Sequence, residues 1–86
     1  MKLSYEIFIR HEVYQILQKA SADDRERFCY FVESLADDPF RAGDATTPDD
    51  TGRVVQAKVL GRFVLFYWAD HAAKEVRVVD LTRAAG

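Results

Sequence analysis

Basic side chains recur through the last third of the chain at Arg53, Lys58, Arg62, Lys74, Arg77 and Arg83. Lys58, Arg62, Arg77 and Arg83 fall on or beside segments with strand character. Cations displayed on a sheet can bind a phosphodiester and stabilise the extra charge that builds when a ribose 2′-hydroxyl attacks it, with no metal or cofactor. The same pattern also describes an ordinary solvated face. Charge is divided along the chain: residues 1–52 hold six basic and eleven acidic side chains, and residues 53–86 hold six basic and three acidic. The net charge of −2 argues against a protein that holds nucleic acid through bulk electrostatics.

Other chemistry is thinly represented. His11-Glu12 starts like a zinc-binding helix, but the residue four places on is Gln15, so the ligand pair is missing and no metal is expected. His71 stands in a predicted turn, where it reads first as a solvated residue and second as a general acid near neutral pH. Cys29 sits beside Phe28 and Val32 and reads as a small buried hydrophobe, with Arg25 the one nearby cation to activate it. The sequence has no glycine-rich phosphate loop, no G-x-S-x-G elbow and no aromatic RNA-binding signature.

Length and composition bound the scaffold. Eighty-six residues, 49% hydrophobic and 30% charged, make one domain spanning 1–86, with no room for a second core. A domain of this size folds with a thin margin, to which a partner can add. The single cysteine excludes an intramolecular disulfide and fits a reducing cytoplasm. Glu6, Arg10 and Glu12 interrupt any apolar core of a leader over Met1 to Ala20. The longest uncharged apolar run, Phe63 to Ala69, is too short to span a membrane, which takes about 20 residues.

The hydrophobic period predicts the elements. Leu3, Tyr5, Ile7 and Ile9 alternate with Ser4, Glu6 and Phe8, a strand whose polar face Phe8 breaks. Val13, Ile16 and Leu17 then recur at helical spacing. Ser21 with Asp24 predicts a capped start for a second helix, buried along Phe28, Phe31, Val32 and Leu35 and ended by Asp38-Pro39. Residues 40–52 show no period and read as a long connection, a possible lid or strap. Three strands follow, Arg53 to Leu60, Arg62 to Ala69 and Lys74 to Leu81. The order β-α-α-β-β-β is an α+β domain with two N-terminal helices on one face of a mostly antiparallel sheet.

Strand faces sharpen the expectation. Along Arg62 to Ala69, Phe63, Leu65 and Tyr67 point one way and Val64, Phe66 and Trp68 the other, so this strand is apolar on both sides. Two helices can cover only one. Val64, Phe66 and Trp68 are therefore expected to meet a partner chain, the 40–52 connection or the C-terminal tail.

Leu35-Ala-Asp-Asp-Pro39, Gly52-Arg53, the aromatic strand Phe63-Val-Leu-Phe-Tyr67 and Val76-Arg-Val-Val-Asp-Leu81 together resemble the RelE/ParE superfamily of bacterial toxins from type II toxin–antitoxin modules, over nearly the whole chain. The resemblance implies a small toxin wrapped by a cognate antitoxin, acting either by cutting mRNA on the ribosome or, in the ParE-like branch, by poisoning DNA gyrase. Lys58 matches a strand lysine of the mRNA-cleaving members, and Phe63 the aromatic before their strand arginine. Val64 stands where that arginine would be, Gln56 where another lysine is often found, and Arg83 is followed by Ala-Ala-Gly rather than the tyrosine or histidine those tails can supply.

The leading expectation is a toxin that inhibits translation by metal-independent endoribonuclease action, with Lys58, Arg62, Arg77 and Arg83 holding phosphate, no cofactor, and Val64, Phe66 and Trp68 facing the antitoxin. Its alternatives are a non-enzymatic gyrase poison and a diverged toxin-fold protein that acts only in an autoregulatory complex.

Overall fold

The computed structural model describes residues 4–84. It contains β1 (Glu6–Ile9), α1 (His11–Gln18), α2 (Ala22–Asp37), β2 (Ala45–Pro48), β3 (Val54–Leu60), β4 (Phe63–Asp70) and β5 (Glu75–Arg83). Both helices and all four expected strands are present, and Leu3, expected in the first strand, lies outside the described residues. The sheet runs β1-β5-β4-β3-β2, with β1 parallel to β5 and every other pair antiparallel.

Local signals account for the boundaries. The Ser21 hydroxyl accepts from the Asp24 N–H at 3.1 Å, and Asp23 and Asp24 lie in the first turn of α2, where the helix dipole favours negative charge. The β3–β4 hairpin closes through Gly61-Arg62, with Gly61 at φ +61°, a conformation that suits glycine at the first turn position. That two-residue turn fixes the register, setting Leu60 opposite Phe63 and Gln56 opposite Tyr67.

One strand of the sheet is an addition to the expectation. Within 40–52, residues 45–48 pair with β3 as β2, an edge strand exposed along its whole length. The segment is neither lid nor strap across the sheet, although its far end forms one wall of the groove described below.

Both helices pack on one face of the sheet. Val13, Phe28, Phe31, Val32 and Leu35 meet Phe63, Leu65, Tyr67, Val76, Val78 and Leu81 in one core. Every residue of the expected α2 stripe is buried. Cys29 is a correction: it is exposed, because it falls just beyond the stripe set by Phe28, Phe31, Val32 and Leu35.

Candidate docking face and the placement of the cations

Directly opposed residues of a sheet share a face, so the register assigns every side chain. Lys58 lies opposite Leu65, and Leu65 opposite Leu81, on the helix-covered side. Val59 opposite Val64, Ala57 opposite Phe66, and Trp68 opposite Arg77 lie on the other side, which carries no helix. On β3 the more apolar set, Val55, Ala57 and Val59, therefore faces away from the helices, while Gln56, Lys58 and Leu60 face toward them. Phe8, opposite Arg77, joins the open face, which explains why it broke the polar side of its strand.

Val64, Phe66 and Trp68 share this face, as their alternation with Phe63, Leu65 and Tyr67 requires. Val64, Phe66 and Trp68 are each half-buried, Val59 is 53% exposed and Phe8 42%. A groove of about 880 Å³ runs along one end of it, between the 49–53 turn, Phe8 of β1, and Trp68, Arg77 and Asp80. The Arg53 guanidinium covers Trp68 at 3.9 Å from the ring centroid, and Arg77 stands 5.4 Å from the Phe8 centroid. Each arginine is also in an ion pair, Arg77 with Glu75 at 2.7 Å and Arg53 with Asp49 at 3.5 Å. Asp49 holds the turn by accepting from the Thr51 hydroxyl and from the N–H groups of Thr51 and Arg53. Those bonds, the Thr51 hydroxyl first, lower its pKa.

The four basic residues do not converge. Lys58 and Arg77 are on opposite faces of the sheet. Arg83, paired with Phe63 and 5.9 Å from its ring centroid, lies at the far end of β5 on the helix side. Arg62 is in the β3–β4 turn, where its carbonyl accepts from the Ala84 N–H. Positions 58 and 64 also lie on opposite faces, so a lysine at one and an arginine at the other cannot grip a single phosphodiester. Lys58 instead pairs with Asp44 at 3.3 Å. Asp44 also accepts from the Val59 N–H at 2.8 Å, and these contacts, the backbone one first, lower its pKa.

A second groove lies on the helix side, between α2 and β3, lined by Tyr30, Phe31, Arg41, Lys58 and Leu60. Arg41 and Lys58 sit 4.8 and 5.8 Å from the Phe31 centroid. The Arg41 carbonyl accepts from the Tyr67 hydroxyl at 2.8 Å, and burial raises the Tyr67 pKa to about 12. His71 is more engaged than a merely solvated turn residue: it stacks on Phe40 at 4.3 Å and shares a 2.9 Å hydrogen bond with the Tyr5 hydroxyl through Nδ1. No group of three His, Cys, Asp or Glu suited to a metal ion occurs among the described residues.

Sequence reasoning missed Arg53, Phe8 and Asp80 as members of the open face. The signal was available for Arg53. Once the Gly61-Arg62 turn fixes the hairpin register, Arg53 falls on the same side as Val55 and Trp68.

This arrangement of two helices on one side of a five-stranded sheet is the fold of RelE-type toxins. Among solved structures, the chain is similar to one in the crystal structure of an archaeal RelE–RelB complex from Pyrococcus horikoshii OT3, with a TM-score of 0.79 and 18% identity, over 93% of this chain and 94% of that one. It is also similar to a chain of the toxin–antitoxin complex RelBE2 from Mycobacterium tuberculosis, with a TM-score of 0.74 and 16% identity, over 100% of this chain and 98% of that one. No protein-family model matches the sequence, and no curated protein matches it. No helix among the described residues is long and apolar enough to cross a membrane.

Proposed function

We propose that this chain is the toxin of a toxin–antitoxin pair, a cytoplasmic growth-arresting protein silenced by a partner polypeptide lying across the open face of its sheet. One observation carries the reading. Val64, Phe66 and Trp68 form an apolar face that the chain's own helices leave open, on a fold whose similar solved structures are RelE–RelB and toxin–antitoxin complexes. Covering such a face supplies the apolar burial that a domain of this size needs.

The action divides between cutting mRNA on the ribosome and stalling a target such as DNA gyrase by binding. The distribution of cations favours binding. Stabilising a phosphodiester transition state calls for several donors aimed at one point, whereas Arg77 stands on the open face, Lys58 and Arg83 on the helix side with Lys58 held by Asp44, and Arg62 in the β3–β4 turn, and the Val59–Val64 patch holds no cation.

Inducing the chain alone is the test. Growth should stop with ribosome-bound messages intact, the arrest should survive Lys58→Ala and Arg83→Ala, and co-expressing the product of the adjacent reading frame should relieve it. Messages cut at ribosome-bound codons, with cutting lost in Arg77→Ala or Lys58→Ala, would establish the nuclease instead. Unimpaired growth would overturn the toxin reading altogether.

A further inference from the structure

The open face carries more than apolar surface: it has a charge pattern that selects its occupant. Phe66 on β4 is paired across the sheet with Asp80 on β5, which lines the edge of the groove on the side of the Val59–Val64 patch. One Asp80 oxygen accepts from the Leu81 N–H at 2.8 Å. Asp80 is exposed and has no cation within ion-pair distance among the described residues. Of the three arginines lining the groove, Arg77 is paired with Glu75 and Arg53 with Asp49 and the Trp68 ring, while Arg10 is in no ion pair among the described residues and is not within ion-pair distance of Asp80. Asp50 and Asp70 also line the groove without an ion pair. The lining sets four carboxylates, Asp49, Asp50, Asp70 and Asp80, against three arginines, so the charge at this end of the face favours a basic side chain over a phosphate.

We infer that the open face, with the groove at its Trp68 end, binds a polypeptide segment carrying apolar side chains for Val64, Phe66 and Trp68 and a lysine or arginine that pairs with Asp80. This rests on the proposed function and specifies the chemistry of the partner at that face. Electrostatic complementarity fixes the register of the segment, while the apolar contacts supply most of the affinity.

Trp68 is the single tryptophan of the chain and lies in the groove, so its emission reports occupancy directly. The purified chain is titrated with three probes: an acetylated hexapeptide alternating leucine and arginine, its leucine–glutamate counterpart, and oligouridylate. The basic peptide should shift Trp68 emission, and the acidic peptide and the oligonucleotide should not. Asp80→Asn should weaken the basic peptide roughly fivefold, the ordinary worth of one partly screened ion pair. Asp80→Lys should reverse the preference toward the acidic peptide, with far-ultraviolet circular dichroism confirming that each variant is folded. Equal binding of both peptides, no response to any peptide, or oligouridylate binding that tightens in Asp80→Asn would each overturn the inference. Because the titration uses purified protein, its outcome is separable from the growth assay that tests the toxin reading.

Discussion

Replacing Gly61 by alanine strikes the point where the central hairpin meets the start of α2. Gly61 has φ +61°, and a Cβ there would collide with Asp24 Oδ1 and approach Arg27 Nη1 to 3.0 Å. Asp24 is 6% exposed, its N–H caps onto Ser21, and its carboxylate holds Arg27 at 3.2 Å, so it cannot yield without disturbing the helix start. A side chain in left-handed backbone costs about 1 to 2 kcal/mol, and displacing a buried, hydrogen-bonded carboxylate adds about 1 to 3 kcal/mol. The expected loss is about 2 to 5 kcal/mol, a large share of the roughly 5 to 15 kcal/mol that holds a small domain folded. Gly52 supplies the control. It has φ +84° but nothing within 4 Å of a built Cβ, so Gly52→Ala should lose only the backbone part, about 1 to 2 kcal/mol. Urea melts followed by Trp68 emission measure both variants. Equal losses at the two positions would refute the assignment of Asp24 as the obstacle.

Three further outcomes follow from the contacts. Arg53→Ala should uncover Trp68 and red-shift its emission, at a stability cost of about 1 kcal/mol or less, as expected for a partly exposed cation–π pair; an unchanged spectrum would remove Arg53 from the ring. Burial raises the Tyr67 pKa to about 12, above the ordinary value of 10. Its contribution is therefore complete below pH 10 and lost as pH climbs through 12, about 2 to 3 kcal/mol in all, and tyrosinate absorbance should show one late-titrating tyrosine whose ionisation coincides with unfolding. Asp44 has a lowered pKa, so its support is present above the ordinary carboxylate value near 3.8 and is lost as pH falls through its lower folded value. Asp44→Asn should loosen the β2–β3 edge at neutral pH, seen as faster exchange of the Val59 amide.

The helices and four of the five strands were legible because each rests on a local signal. Val13, Ile16 and Leu17 mark one face of α1, Ser21 and Asp24 mark the start of α2, and Gly61 marks the hairpin. β2 was not legible, because Ala45, Thr46, Thr47 and Pro48 are exposed on both sides and become a strand only by pairing with β3. Alternation on β4 correctly separated Val64, Phe66 and Trp68 from Phe63, Leu65 and Tyr67, since a period of two needs no tertiary knowledge. Grouping Lys58 with Arg77 required knowing which side of each strand the helices cover. On β3 composition misleads, for Val55 and Val59 face outward and Lys58 lies beneath α2, held by Asp44 beside the Phe31 ring. Asp80 went unnoticed because an isolated aspartate on a strand carries no signal until Phe66 is set opposite it.

Hydroxyl-radical footprinting of the chain, alone and in complex with the product of its adjacent reading frame, reads the covered surface directly. Phe66 and Trp68 should be oxidised in the free chain and protected in the complex, while Tyr30, 78% exposed on α2, stays reactive in both. Protection of Tyr30 with Phe66 and Trp68 left reactive would place the partner on the helices and contradict the account.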